Sequence, residues 1–213
     1  MIGIVDYGAG NLSSVAMALE ALDLEHTFLV SSEEILQSDS LLLPGVGSFK
    51  LAMNRLESRG FVEPIRSFAR QGKPLVGICL GMQLLFESSS ELGITNGLGI
   101  LSGEVIESPG AEQRGPALGW EAVEFESPLK GHHGDYYFAH SFEAKIGGDT
   151  LALATSNRDA KTLIAGVRRG SIIGFQFHPE KSGDKGIALL GSTFELLGFR
   201  SSGAKDKEGT QQT

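Results

Sequence analysis

Two hydrophobic textures divide the chain. In its first half, short apolar runs alternate with stretches whose apolar residues recur at helical spacing. Met1–Val5, His26–Val30, Leu41–Leu43 and Leu75–Ile78 are the short runs, and the uninterrupted ones suit strands buried on both faces of a sheet. Leu12, Val15, Ala16, Leu19 and Leu22 predict a helix ending near Leu22. Ser31 with Glu34 three residues on is a capping box for a short helix. Longer helices are expected from about Ser48 to Glu57 and from Phe61 to Arg70. Met82, Leu84, Leu85 and Phe86 open another directly after the Leu75–Ile78 strand. This alternation predicts an α/β fold with a doubly wound, mostly parallel sheet flanked by helices, whose sites lie at the carboxyl ends of the strands.

From about Gly99 the texture becomes β-rich. The pieces Ile100–Glu107, Trp120–Phe125, Tyr136–Phe142, Leu151–Thr155, Leu163–Arg168 and Ile172–His178 are separated by Gly and Pro, and one strong helix follows, Asp184–Leu197. They predict a mixed or antiparallel extension of the same sheet, so residues 1–200 are expected to form one domain. Residues 201–213 are polar and lack apolar periodicity, as in a disordered tail.

Composition narrows the function classes. With 213 residues, 41% apolar and 21% charged, the chain can bury one sizeable core. Its longest apolar runs are too short to cross a bilayer, and its first residues lack a secretory pattern. A single cysteine precludes an internal disulfide and points to a reducing, cytoplasmic compartment. The net charge of −8 argues against a general nucleic-acid binder. Gly8 and Gly10 resemble the start of a dinucleotide fingerprint, but Ser13 stands at the third glycine position and no acidic residue closes a second strand. A tight turn explains them better, and neither a cofactor nor a metal is expected.

The chemistry centres on Cys79. Gly77 and Gly81 flank it two residues away on either side, the frame of a nucleophile elbow in which a sharp strand-to-helix turn lifts the nucleophile above the sheet. A helix N-terminus behind it favours the attacking thiolate. Of five histidines, His26 opens a strand and His132 and His133 sit in a hydrophilic turn. His140, at a strand end, is more suggestive. His178 is the strongest candidate base, because it ends the apolar strand from Ile172 and precedes Pro179 and Glu180. In an extended segment residues two apart share a face, so Glu180 can hold the imidazole while its other nitrogen serves the thiol. An oxyanion needs two N–H donors. Leu80 supplies one, and the loop Pro44–Gly47, through Val46 and Gly47, can supply the second. Thiolate, His–Glu pair and oxyanion loop together indicate acyl transfer through a thioester.

These residues carry a family resemblance. Residues 77–83 (Gly77, Cys79, Gly81, Met82, Gln83) and 176–180 (Gln176, Phe177, His178, Pro179, Glu180) resemble the two signature segments of class I glutamine amidotransferases. Asp6–Val15, Pro44–Gly47, Met82, Tyr137–Ser141 and Lys181–Ser182 are similar to the glutaminase subunits of imidazole glycerol phosphate synthases, over about residues 1–199. The resemblance implies that Cys79 attacks glutamine, His178 is the base and Glu180 orients it. Glutamine would be held by Gly47, Gln83, Glu91, Ser141 and Phe142. Trp120, Tyr137, His140 and Lys181 would face a (βα)₈-barrel cyclase subunit in a heterodimer, which uses the ammonia to make imidazole glycerol phosphate and an aminoimidazole carboxamide ribotide in histidine biosynthesis.

The residues point to a partner independently. The core has room for the glutaminase sheet alone, Lys and Arg are too scattered for a phosphate-binding acceptor site, and free ammonia would be protonated in neutral water. One segment departs from the family pattern: in Pro116–Glu121, Ala117 stands where a histidine is usual and Glu121 where an asparagine is usual. That departure motivates an alternative, a paralogous glutaminase feeding another synthase such as one amidating a surface sugar. A catalytically silent binding module is the third reading, disfavoured by the intact Cys79, His178 and Glu180.

Overall fold

The computed structural model describes residues 1–108, 117–158 and 161–199, so Pro116 and the expected tail at 201–213 lie outside the described residues. The first half follows β1 (Ile2–Val5), α1 (Leu12–Glu20), β2 (His26–Leu29), α2 (Ser32–Gln37), β3 (Ser40–Leu43), α3 (Phe49–Ser58), α4 (Val62–Arg70), β4 (Leu75–Ile78) and α5 (Leu80–Leu84). Strands β1, β3 and β4 are buried at every position, as their unbroken apolar runs require. Helix α1 stops before Leu22 because the chain turns at Asp23 (φ 51°) and the Leu24 N–H closes onto the Leu19 carbonyl at 3.0 Å. Both halves of the capping box form: the Glu34 N–H donates to Ser31 Oγ at 3.3 Å, and the Ser31 N–H donates to Glu34 Oε2 at 3.0 Å.

The second half runs β5 (Ser88–Ser89), β6 (Thr95–Asn96), β7 (Gly103–Glu107), β8 (Ala117–Phe125), β9 (Gly134–His140), β10 (Phe142–Ile146), β11 (Leu151–Arg158), β12 (Lys161–Arg169), β13 (Ile172–Phe175) and α6 (Gly183–Leu196). The main sheet has nine strands in the order β2-β1-β3-β4-β13-β12-β11-β8-β9. Its β2, β1, β3, β4 and β13 are parallel, while β12, β11, β8 and β9 extend it antiparallel.

Alternation along the buried strands divides the core. Leu41, Leu43 and Leu75 pack with Phe49, Met53, Leu56, Ile65 and Phe68 from α3 and α4. Leu42, Val76 and Ile78 pack on the other face with Val15, Leu19, Leu189, Leu190 and Phe194 from α1 and α6.

Two expectations need correction. Residues Tyr136–Phe142 do not form one strand: the chain breaks at Ser141, leaving β9 in the main sheet and β10 in a second sheet ordered β10-β7-β5-β6. Ile100 and Leu101 are buried but not strand, because their N–H groups both donate to the Leu85 carbonyl at 2.8 Å and tie them to the end of α5. The second sheet matters to the site, since it carries Glu91 between β5 and β6 and begins β10 at Phe142.

Candidate active site

Strand β4 delivers Cys79 to the carboxyl edge of the sheet in a conformation that L residues rarely adopt, φ 53° and ψ −114°. Such a conformation costs of order 1–3 kcal/mol and persists only when its surroundings hold it. Here the Cys79 N–H donates to the Phe175 carbonyl at 2.7 Å, and the Cys79 carbonyl accepts the Gln83 N–H at 3.2 Å. The flanking glycines are needed for space. A Cβ on Gly77 would lie 2.8 Å from the backbone of Met82, and one on Gly81 would lie 1.9 Å from the Leu43 carbonyl oxygen. The end of β3 therefore presses backbone to backbone on the elbow, which brings the Pro44–Gly47 loop alongside Cys79. Tyr7 fixes that loop from below: its hydroxyl donates to the Pro44 carbonyl at 2.9 Å, and burial pushes the phenol pKa up, keeping it a neutral donor.

Helix α5 is only five residues long, so its terminus contributes less to the thiolate than a full helix would. The cationic partner is His178 instead. Its Nδ1 lies 2.7 Å from Glu180 Oε1, with the two side chains 4% and 2% exposed. The pairing is not made along an extended segment as expected. Pro179–Lys181 form a 3₁₀ turn that folds Glu180 back onto the ring. A carboxylate only accepts, so Nδ1 carries the hydrogen and Nε2 is left for the sulfur. Burial alone would lower the His178 pKa, but hydrogen bonds to Cys79 and Glu180, with their negative charges, outweigh it and push the pKa up to about 9. The ring's backbone is fixed as well: the His178 N–H donates to the Tyr137 carbonyl at 2.8 Å, and Ser182 Oγ donates to the His178 carbonyl at 2.7 Å while accepting the Tyr137 N–H at 3.0 Å.

Cys79 and His178 open into a cavity of about 280 Å³. Its lining includes Val46 and Gly47 from the loop after β3, Leu80 and Gln83 from α5, Glu91, Ala139 to Phe142, and Lys181. Gln83 Nε2 donates to the Phe142 carbonyl at 3.1 Å, and Glu91 Oε2 accepts the Phe49 N–H at 2.6 Å at the start of α3. Of the residues assigned to a partner face, Trp120 is exposed and Tyr137 half-buried, with their rings edge to face at 6.1 Å. Tyr137 in turn lies 6.5 Å from the His178 ring. His140 is placed differently: it is buried, its Nδ1 2.8 Å from the Phe142 carbonyl, and it lines the cavity.

Sequence reasoning gave no role to two groups at the site. Cys79 Sγ lies 3.9 Å from the Ala139 carbonyl and 4.0 Å from Gln176 Nε2. A polar Gln176 inside the apolar run Ile172–Phe177 was the available signal for the second. His26, His132 and His133 do not line this cavity. A larger groove of about 860 Å³ opens at the opposite end of β13, among Arg66, Arg70, Asp149 and Arg169, and is lined by no cysteine or histidine. Among the described residues no group of three His, Cys, Asp or Glu is placed to hold a metal ion, and no helix is long and apolar enough to cross a membrane.

A strained cysteine, a His–Glu pair and a small polar cavity form the constellation of a thioester-forming amidase. Residues 3–194 match the family described as glutamine amidotransferase class-I. The chain is 44% identical over 212 residues to the imidazole glycerol phosphate synthase subunit HisH of Geobacillus kaustophilus, covering 95% of this chain and 100% of that one. It is 45% identical over 200 residues to the HisH subunit of Halalkalibacterium halodurans, covering 89% and 93%. A solved structure described as a glutamine amidotransferase superposes with a TM-score of 0.76 at 23% identity, covering 92% of this chain and 98% of that one. The chain belongs to the class-I glutamine amidotransferase family.

Proposed function

We propose that the chain is the glutaminase subunit of an imidazole glycerol phosphate synthase, acting in histidine biosynthesis. The observation that carries this reading is the joint placement of Cys79, His178, Gln83 and Glu91 on one cavity, with Glu180 behind the base. Glutamine is held by Gly47, Gln83, Glu91 and the backbone at Ser141 and Phe142. Its side-chain carbon is attacked by the Cys79 thiolate. As the C–S bond forms, the carbonyl oxygen takes negative charge, which the N–H of Leu80 and of the Val46–Gly47 segment stabilises. His178 gives its proton to the amide nitrogen, the C–N bond breaks, and ammonia leaves a γ-glutamyl thioester. Water then attacks that carbon while His178 takes a proton from it. The C–S bond breaks, and glutamate leaves with thiolate and imidazolium restored.

Ammonia released into neutral water would be protonated and lost as a nucleophile, so the cavity must be capped by the protein that consumes it. The capping face is assigned to the exposed Leu118 and Trp120 on β8, with Tyr137 and Lys181 beside the cavity. The partner is a (βα)₈-barrel cyclase subunit in a heterodimer. The departures at 117 and 121 leave that face intact. Ala117 is buried opposite His140, and Glu121 accepts the Ser156 hydroxyl at 3.0 Å, so both belong to the strand face opposite Leu118 and Trp120. This favours the cyclase over a different acceptor.

The test combines the purified chain with a histidine-pathway cyclase subunit and its phosphoribulosyl substrate and measures glutamate release. Turnover is expected to need both, and to vanish in Cys79→Ala. Full activity in Cys79→Ala would refute the thioester. Failure of the well-folded chain to complement a histidine auxotroph lacking this subunit would refute the choice of acceptor.

A further inference from the structure

We infer that Gln176 is a positioning residue of this reaction: its side-chain amide donates to the Cys79 sulfur and fixes the orientation of Gln83. The inference rests on the glutaminase reading above and adds a residue to it. Gln176 is 1% exposed between Phe175 and Phe177, a site where burial strongly disfavours an amide without hydrogen-bond partners. It has partners on both ends. Its Oε1 accepts from Gln83 Nε2 at 3.0 Å, and its Nε2 lies 4.0 Å from Cys79 Sγ, within the longer reach of a sulfur acceptor.

The direction of this chain follows from one group that cannot be turned round. The Phe142 backbone carbonyl only accepts, so the Gln83 end facing it at 3.1 Å must be its nitrogen. That nitrogen has a second hydrogen, which points to Gln176, so Gln176 must present its oxygen there. The amide of Gln176 is thereby forced to aim its NH₂ at the sulfur. Flipping either amide would set two donors or two acceptors against each other in a buried site. The Phe142 carbonyl, a wall of the cavity, is thus linked through two side chains to the nucleophile. Gln176 carries no charge. The titratable groups around the cavity are His178 and Lys181 beyond β13, His140 at the end of β9, and Glu91 beyond β5.

The two roles make separable predictions, read on the reactivity of the chain's single cysteine with iodoacetamide across pH and on glutamine kinetics with the partner bound. In Gln176→Met the thiolate keeps His178 but loses its second donor, and the alkylation profile is expected to move up by about one pH unit. The KM for glutamine is expected to rise about tenfold, because Gln83 loses one of the two acceptors that fix its amide. In Gln176→Glu an acceptor for Gln83 remains, so KM stays near the wild-type value. The donor to sulfur is replaced by a carboxyl that repels the thiolate wherever both are ionised, so the alkylation profile moves upward at least as far as in Gln176→Met. A merely structural role would lower the melting temperature and move neither readout selectively. The inference is overturned if either variant melts cooperatively and its alkylation profile superimposes on wild type. Alkylation involves neither glutamine nor partner, so that result leaves the glutaminase reading standing. Retained turnover in Cys79→Ala would instead sink that reading.

Discussion

Substituting Gly81 by alanine tests the packing of the elbow directly. The added Cβ would lie 1.9 Å from the Leu43 carbonyl oxygen and 2.8 Å from its carbon. Real Cβ atoms essentially never approach another atom closer than 3.0 Å, so the two segments must part by about 1 Å. Both neighbours are backbone, and neither can rotate aside. Leu43 is held in register against Gly77, and Cys79 is held to Phe175, so the strain falls on the elbow between them. Overpacking of this kind costs about 1–3 kcal/mol. For a domain of this size that lowers Tm by roughly 2–12 °C. The rate should suffer more, because displacing a nucleophile by about 1 Å costs on the order of a hundredfold. Calorimetry and glutaminase rates with bound partner measure the two effects. Gly47→Ala is the control for backbone strain: its φ is +94° but no atom lies within 4 Å of the added Cβ, so its stability cost is about 1 kcal/mol without a clash. If Gly81→Ala melts and turns over like wild type, close backbone approach is not what the elbow glycine provides.

Two further outcomes are expected. Glu180→Gln should lower kcat by roughly 10²–10⁴ with little change in the KM for glutamine, because the carboxylate holds His178 and not the substrate. His178 is pushed up to about 9, above the ordinary 6.5, so its paired proton stabilises the fold fully below about pH 6.5, and that contribution is lost as pH rises through about 9. The Tm deficit of Glu180→Gln should accordingly be largest near pH 6 and shrink above pH 9; a deficit that grows with pH would reverse the assigned charge state. Trp120→Ala should leave the Tm of the free chain unchanged, since the ring is 58% exposed, yet weaken the cyclase complex by a factor of about 30 or more in titration calorimetry. Unaltered affinity would remove Trp120 from the docking face.

Local patterns carried most of the parallel half and of the grouping of Cys79 with the His178–Glu180 pair. Leu41–Leu43 and Leu75–Ile78 are apolar at every position because both faces are covered, and Cys79 between two glycines marks a turn that few other functions require. The second sheet was illegible because its signal is pairwise. Ser88–Ser89 and Thr95–Asn96 are two-residue polar strands that acquire meaning only when β7 lies beside them. The break at Ser141 escaped for a similar reason: Tyr136 to Phe142 is a continuous β-forming run, and only the pairing of Phe142–Ile146 with β7 shows that the chain has changed sheets. The His178–Glu180 pair was found, but through alternation along a strand, whereas a 3₁₀ turn makes the contact. Gln176 stands in the 176–180 signature segment and as a polar residue in an apolar run, but its contacts were not legible, since Gln83 and Cys79 are 93 and 97 residues away in the chain.

The strand order has a consequence for how the molecule is made. Among the described residues strand β13 is the last strand in chain order, yet it lies in the middle of the sheet, between β4 and β12. At synthesis rates of about 5–20 residues per second, the 97 residues from Cys79 to Gln176 take on the order of 5–20 s to emerge. Throughout that interval β4 lacks one neighbour, and Cys79 lacks both the Phe175 carbonyl that holds its backbone and the His178 that serves its sulfur. The surroundings of Cys79 are therefore completed only after residue 178 has been made. A chain cut short before residue 172 would carry Cys79 without His178 and leave an open edge in its central sheet, a target for pairing with other chains.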